Sequence, residues 1–429
     1  MRLTAIRAAT QPHTLPSTSK HSPTFPSQYS KTPTLPFNKS QISWGNLKQD
    51  KDQCHSPKLG QNWMQYMGFN HWECLLDPLD DNLRSEILRY GHFIEAAYRS
   101  FDFNPSSSTY ATCRYSKASL LARTGMRKPS YKVTKNLRAT CGIKLPKWID
   151  NVSKLPHIRS RSSWIGYVAV CHDKKEIARL GRREIVIALR GTGTCLEWFE
   201  NLRATLTTLP NHMCGGCDGD GDGCGGEDDE CMVENGFLSL YVSKTETSPS
   251  LQEMLREEVE KLIKTYRDEP LSITITGHSL GAALAILSAY DITTTVKHAP
   301  LVTVISFGGP RVGNDEFRRQ LEHSGTRILR IVNSDDVITK VPGLVVRDGD
   351  VAGDGVHVGS LRGWLRRRVE DMQLVYADVG QELRLSSSDS QSPYLKGGDV
   401  ATCHDLKTYL HLVNGFVSSS CPYMTEAWL

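Results

Sequence analysis

The run Gly277-His278-Ser279-Leu280-Gly281 holds residue types that can do acyl-transfer chemistry if the chain around them turns sharply enough. A β-rich apolar stretch, Ile273–Thr276, enters this Gly-x-Ser-x-Gly turn, and a small-residue helix, Ala282–Tyr290, leaves it. Strand, tight turn and helix in that order form a nucleophile elbow. Residues two before and two after the serine must lack bulk, hence Gly277 and Gly281. The turn raises the Ser279 hydroxyl at the carboxyl end of a sheet. It also aims the first N–H groups of a helix at a reacting carbonyl. Without the flanking strand and helix the motif would be an ordinary glycine turn; with both it reads as a serine nucleophile.

A serine needs a base to take its proton and a carboxylate to orient that base. On the hydrolase fold they follow in the order Ser, Asp or Glu, His, each at a strand end. The next suitable carboxylates are in Asn333-Ser334-Asp335-Asp336-Val337, past an expected strand Arg327–Val332. Asp335 and Asp336 are adjacent, so one of them at most points at the histidine. Asp336 is the candidate, with a solvated loop carboxylate or helix cap as the ordinary alternative. Three later histidines stand in range, His357, His404 and His411. His404 and His411 both suit the order, and at seven residues apart they could share a helix face, so order leaves the two open. An oxyanion hole needs two N–H donors. Leu280, after the nucleophile, is one; Thr192, after the apolar run Ile185–Leu189 and Arg190-Gly191, is the other candidate.

These groups need a scaffold. Leu83, Ile87, Tyr90, Ile94, Ala97 and Phe101 recur at helical spacing and predict an amphipathic helix over 81–101. Residues 105–160 are mixed and rich in turn formers. Trp164–Val170 and Glu184–Leu189 read as strands, with a charged, hairpin-like link Asp173–Arg183. Leu251, Met254, Leu255, Val259, Leu262, Ile263 and Tyr266 form a second helical stripe. Val302–Phe307, before Gly308-Gly309-Pro310, Arg327–Val332 and Tyr376–Leu385 read as further strands; 343–356 is a Gly/Asp-rich loop. Strands alternating with helices indicate an α/β layered fold with a mostly parallel sheet flanked by helices.

The bulk composition narrows the function. The 429 residues carry a formal charge of +4. Residues 1–49 hold six Lys or Arg and no Asp or Glu; without them, 45 basic residues face 47 acidic ones. Charge therefore gives no reason to expect a nucleic-acid partner. No apolar run is long enough for a transmembrane helix. The same 49 residues contain 14 Ser or Thr and six Pro, with no apolar core of a secretory signal. Such a composition fits a chloroplast transit peptide over 1–55, ahead of one domain over 56–429; an ordinary disordered tail is the alternative. Residues 210–233 form a Cys/Gly/Asp-rich insert. Asp218, Asp220, Asp222 and Gly223 partly match a calcium loop, with Asp229 where Glu is wanted. Cys214, Cys217, Cys224 and Cys231 could suggest zinc or a redox-sensitive loop. A surface insert is the simplest reading, and neither metal nor cofactor is expected. Trp364 and Leu365 beside Arg362 and Arg366–Arg368 would suit contact with an anionic membrane, or a solvated basic face.

Several segments together resemble the class 3, fungal-type lipase superfamily, and within it the chloroplast-targeted plant class I phospholipase A1 family. They are Trp72-Glu73-Cys74-Leu75-Leu76-Asp77-Pro78-Leu79-Asp80, Ala188-Leu189-Arg190-Gly191-Thr192, Glu197-Trp198, Thr276–Gly281, Phe307–Asn314, Arg330-Ile331-Val332-Asn333 through Pro342, and His404 through His411. The resemblance covers roughly residues 60–420 and implies an α/β-hydrolase fold with a helical N-terminal extension. It implies Ser279 as nucleophile, Asp336 as orienting acid, His404 as base, Thr192 and Leu280 as oxyanion donors, and a lid at Thr194–Thr208. It further implies release of the sn-1 fatty acid from phosphatidylcholine, monogalactosyldiacylglycerol and digalactosyldiacylglycerol, at plastid membranes or plastoglobules, feeding jasmonate and oxylipin synthesis. Thr339 departs from the pattern, standing where many relatives carry proline. A neutral-lipid lipase or general esterase would use the same machinery. A non-catalytic lipase-like interaction protein tends to lose a triad member or an elbow glycine, and all five residues are present here.

Overall fold

The computed structural model describes residues 59–126, 130–140, 162–192, 205–210, 213, 230–342, 376–390, 392 and 395–420. The expected leader over 1–55, residues 194–204 of the lid stretch, most of the 210–233 insert with Cys214, Cys217 and Cys224, His357 and the 361–370 run lie outside them.

In chain order the helices are α1 (Trp63–Tyr66), α2 (Asp81–Ser100), α3 (Leu120–Arg123), α4 (Lys174–Leu180), α5 (Asn235–Val242), α6 (Leu251–Thr265), α7 (Leu280–Thr295), α8 (Asp315–His323), α9 (Val400–His404) and α10 (Leu406–Gly415). The strands are β1 (Tyr131–Thr140), β2 (Ser162–Cys171), β3 (Arg183–Leu189), β4 (Leu206–Thr208), β5 (Met232–Glu234), β6 (Leu271–His278), β7 (Leu301–Phe307), β8 (Arg327–Asn333) and β9 (Gln381–Leu385). Seven strands form one sheet in the order β1-β2-β3-β6-β7-β8-β9, and β4 and β5 form a separate ribbon. β1, β2 and β3 pair antiparallel; β3, β6, β7, β8 and β9 run parallel.

Burial on both faces explains why the parallel strands read as apolar runs rather than clean alternations. On one face Ile185, Ile187, Ile273, Ile275, Val302 and Val304 pack with α5, α6 and α7. On the other Val186, Ala188, Ile305, Phe307, Leu329 and Ile331 pack with α2 and α10. Each buried Val, Leu, Ile or Phe among them is worth about 1.5–3 kcal/mol, so the two layers dominate the fold energetically. Helix α7 is buried on every side from Leu280 to Ile292. Its alanines at 282, 283, 285 and 289 let its backbone lie close against β6 and β7.

The two amphipathic helices occur close to where their stripes predict. Asp80 caps α2, accepting from the Asn82 and Leu83 N–H groups. Ser250 and Glu253 form a capping box on α6. Three expectations differ. The link after β2 is not a hairpin: it folds as α4, capped by Asp173 and stopped by Gly181 in the left-handed region. Residues 131–140, inside the mixed stretch, form edge strand β1, whose pattern is blurred by register shifts between Val133 and Lys135 and between Leu137 and Arg138. The last strand begins at Gln381, because Tyr376–Gly380 approach it as irregular chain.

At the amino end of β3 the sheet buries a charge. The Glu184 carboxylate accepts from Arg182 Nη2 (2.8 Å), Arg89 Nη1 (2.8 Å), Tyr131 Oη (2.6 Å), Thr274 Oγ1 (3.1 Å) and Tyr90 Oη. Burial alone would raise its pKa, but Arg89 and Arg182 hold it well below the ordinary carboxylate range.

Candidate active site

The elbow lies at the opposite, carboxyl end of the sheet. Ser279 joins β6 to α7 with φ 58° and ψ −128°, a conformation that costs a non-glycine residue about 1–3 kcal/mol and clusters at functional sites. Its N–H donates to the Phe307 carbonyl at 3.0 Å, which ties the turn to the end of β7. The flanking glycines are sterically required. A Cβ on Gly277 would fall 2.2 Å from the Gly281 carbonyl oxygen, and one on Gly281 would fall 2.5 Å from that of Leu189. Leu280 is the first residue of α7, so its N–H has no intrahelical acceptor.

Asp336 and His404 meet. His404 Nδ1 lies 2.6 Å from Asp336 Oδ2, and both residues are buried. The same oxygen accepts from Tyr409 Oη at 2.6 Å, and Oδ1 accepts from the Ile338 N–H at 2.9 Å. Burial, and the Asp336 carboxylate beside it, push the Tyr409 pKa well above its usual value, so this phenol stays a donor. Asp335 turns the other way, accepting from the Ser388 N–H (2.9 Å) and Ser388 Oγ (3.0 Å). Asn333 anchors the approach: its Nδ2 donates to Ser387 Oγ (2.7 Å) and to the Cys403 carbonyl (2.9 Å). Thr339 donates its hydroxyl to the Asp336 carbonyl at 2.8 Å, a bond that proline could not make.

His411 does not share a helix with His404. The chain breaks at Asp405, which caps α10 with an extended backbone, and His411 faces outward on α10. This break, invisible as a period in the sequence, separates the two histidines left open by chain order.

The loop after β3 abuts the serine. A Cβ on Gly191 would lie 2.9 Å from Ser279 Cβ. The Gly191 carbonyl accepts from Arg190 Nη1 at 2.6 Å, and the Gly191 N–H donates to Tyr98 Oη at 2.9 Å. Half-buried Thr192 follows in the same loop. The buried Arg190 guanidinium also donates to the Trp164 carbonyl and Ser163 Oγ, and its carbon lies 3.5 Å from the Phe101 ring centroid. Burial lowers its pKa to about 10, which leaves it charged at neutral pH. Behind the serine, His278 Nδ1 lies 2.7 Å from Tyr98 Oη and its Nε2 2.7 Å from the His404 carbonyl oxygen. Burial, and His404 close by, push the His278 pKa well below 6.5, so it is neutral.

Sequence reasoning missed Tyr98, Arg190, His278, Asn333 and Tyr409. His278 stands inside the elbow motif and Arg190 beside the oxyanion candidate, so position drew attention near both. Tyr98 sits one residue past Ala97 in the α2 stripe, and nothing in the sequence pairs it with a histidine 180 residues later. The assembled cluster can do general acid–base chemistry at an activated hydroxyl: a neutral-donor cage fixes a buried carboxylate, the carboxylate orients an imidazole, and helix and loop N–H groups lie beside a strained serine. Among the described residues no group of His, Cys, Asp and Glu is arranged to hold a metal ion.

The family described as Lipase (class 3) matches residues 186–346, from within β3 through the elbow to beyond Asp336. An Arabidopsis thaliana protein named Phospholipase A(1) DAD1, chloroplastic, is 55% identical over 414 residues, covering 94% of this chain and 90% of that one. Phospholipase A1-Igamma2, chloroplastic, from the same plant is 38% identical, with 86% of this chain and 68% of that one covered. Galactolipase DONGLE, chloroplastic, also from Arabidopsis thaliana, is 37% identical, with coverage of 83% and 70%. With its mostly parallel sheet and elbow serine, the chain belongs to the class 3 lipase superfamily and, within it, to the plant class I phospholipase A1 family.

Proposed function

We propose that this chain is a plastid serine acylhydrolase that releases the sn-1 fatty acid from glycerophospholipids such as phosphatidylcholine and from plastid galactolipids. The observation that carries the reading is the 2.6 Å contact of His404 Nδ1 with Asp336 Oδ2, in a chain whose Ser279 stands at a strained elbow. The relatives' names, phospholipase A(1) and galactolipase, supply the substrate class, and their chloroplast names the compartment. Polyunsaturated fatty acid released there would feed oxylipin and jasmonate synthesis.

In this mechanism His404 Nε2 takes the Ser279 hydroxyl proton as Oγ bonds to the sn-1 carbonyl carbon. The carbonyl π electrons move to oxygen, and the oxyanion is received by the Leu280 and Thr192 N–H groups. The C–O bond to glycerol then breaks, and the leaving lysolipid oxygen takes the proton from His404. Water deprotonated by the same histidine attacks the acyl-enzyme, and the fatty acid leaves as Ser279 regains its proton. Asp336 keeps the imidazole in the Nδ1–H tautomer and stabilises its transient positive charge. Loss of one oxyanion donor lowers turnover by about 100- to 1,000-fold in comparable sites.

The test uses phosphatidylcholine and monogalactosyldiacylglycerol, each with different acyl chains at sn-1 and sn-2, and identifies the freed acids by mass. Release of the sn-1 chain by the parent and not by Ser279→Ala is the expected result. Release of the sn-2 chain, or turnover surviving in Ser279→Ala, overturns the proposal. No release from either lipid, with Ser279 still labelled by a fluorophosphonate, moves the substrate to a neutral glyceride or simple ester. Absence of labelling as well favours an interaction protein.

A further inference from the structure

We infer that Tyr98 is a positioning residue for this reaction, setting the oxyanion loop and tying it to the backbone of the base; the inference rests on the roles proposed above for Ser279, Thr192 and His404. The direction of each hydrogen follows from donor chemistry once His278 is neutral. The Gly191 N–H can only donate, so Tyr98 Oη accepts it at 2.9 Å. The hydrogen of Tyr98 then goes to His278 Nδ1, 2.7 Å away, so that nitrogen carries none. Neutral His278 keeps its proton on Nε2 and donates it to the His404 carbonyl at 2.7 Å. A pure donor stands at one end and a pure acceptor at the other, so the chain has a single order: Gly191, Tyr98, His278, His404.

This order constrains the peptide between Gly191 and Thr192. Its carbonyl is gripped by the Arg190 guanidinium at 2.6 Å, and the preceding N–H is gripped by Tyr98. In a trans peptide the Thr192 N–H points opposite to that carbonyl, away from the guanidinium. Both grips lie within the loop that abuts Ser279. The far end of the chain holds the backbone of His404, whose ring centroid is 4.8 Å from that of His278. One hydroxyl on α2 therefore couples the donor loop, the elbow and the base, which come from three distant parts of the sequence.

Tyr98→Phe removes one oxygen and keeps the ring. Per titrated active site, kcat on a short-chain ester is expected to fall about 10- to 100-fold, less than for outright loss of an oxyanion donor, with KM changed less than about threefold. The rate of Ser279 labelling by a fluorophosphonate, whose tetrahedral oxygen needs the same donors, should fall by the same factor. His278→Ala should lower kcat similarly, and the double variant should lose little more than either single one, because both break one chain. A Tyr98→Phe enzyme with kcat and labelling rate within about twofold of the parent overturns the inference. So does a loss accounted for by fewer titrated sites, or a double variant whose losses multiply. If Ser279→Ala retains turnover, the assigned roles fail separately. Nitrogen-15 spectra of the histidines then decide on Tyr98: an Nε2–H tautomer of His278 that changes in Tyr98→Phe supports the chain, and an unchanged spectrum overturns it.

Discussion

At the amino ends of β3 and β6 the sheet buries Glu184 between Arg89 and Arg182, while at the carboxyl end of β8 it buries Asp336 among a phenol, a backbone N–H and an imidazole. Both carboxylates are fully enclosed. The first is neutralised by permanent cations, so its protonation state is locked and its geometry is rigid. The second meets an uncharged phenol and backbone N–H, together with His404, whose imidazole is chemically able to take up a proton. A buried carboxylate then attracts one proton to one nitrogen, and low polarity makes that attraction strong. Burial staples the fold at one end and, in the proposed mechanism, prepares a proton transfer at the other. Helix α2 serves both ends: Arg89 and Tyr90 bind Glu184, and Tyr98 reaches the elbow through His278.

Asp336→Asn should lower kcat about 10⁴-fold, since an amide no longer enforces the tautomer of His404; steady-state kinetics on titrated enzyme would measure it, and a drop below about tenfold would make Asp336 a structural group like Glu184. Glu184→Gln removes the carboxylate that pairs with buried Arg182, while Arg89 keeps Glu86. Denaturant unfolding should show a loss of about 3–5 kcal/mol, with kcat per titrated site unchanged; a kcat loss at equal stability would mean the two ends are coupled.

Glu234 sharpens the contrast, because among the described residues no cation meets its buried carboxyl. It caps α5 by accepting from the Phe237 N–H at 2.7 Å, and its Oε1 meets no donor. Burial pushes its pKa up from 4.5 to about 7. A carboxyl raised on folding contributes stability that is complete below about pH 4.5 and is lost as pH rises through about 7. Glu234→Gln should therefore stabilise the protein by about 3 kcal/mol at pH 8 and by almost nothing at pH 4; thermal unfolding at the two values tests this, and equal shifts would refute it. The smallest effect is expected for Tyr409→Phe, which removes one of three donors on Asp336. It should lower kcat about tenfold and stability by about 1 kcal/mol, and an unchanged kcat would show that the phenol merely fills space.

Legibility in the sequence followed the range of the interactions. The elbow was readable because strand, turn and helix are contiguous and the glycines answer to contacts within a few residues or at the adjoining strand end. Helices α2 and α6 were readable from their stripes and, for α6, its Ser250–Glu253 box. β1 was not, because it is an edge strand with two register shifts, and α4 is only seven residues long with one buried position, Leu180. Asp336 was named over Asp335 from the sequence, but the contacts that separate the two are not local: Ser388 claims one carboxylate and His404 the other.

By itself, then, the sequence determined the layered α/β architecture, the strained serine with its two required glycines, and the order of candidate acid and base, since each rests on contiguous residues obeying local sterics and periodicity. Only the tertiary structure supplied the contacts: Ser388 takes Asp335 and leaves Asp336 to His404, His411 faces outward beyond the break at Asp405, and Tyr98 joins the Gly191 loop to His278. Those outcomes depend on which strand ends the parallel sheet brings together and on which donors burial forces to find acceptors, and neither is encoded within any one segment.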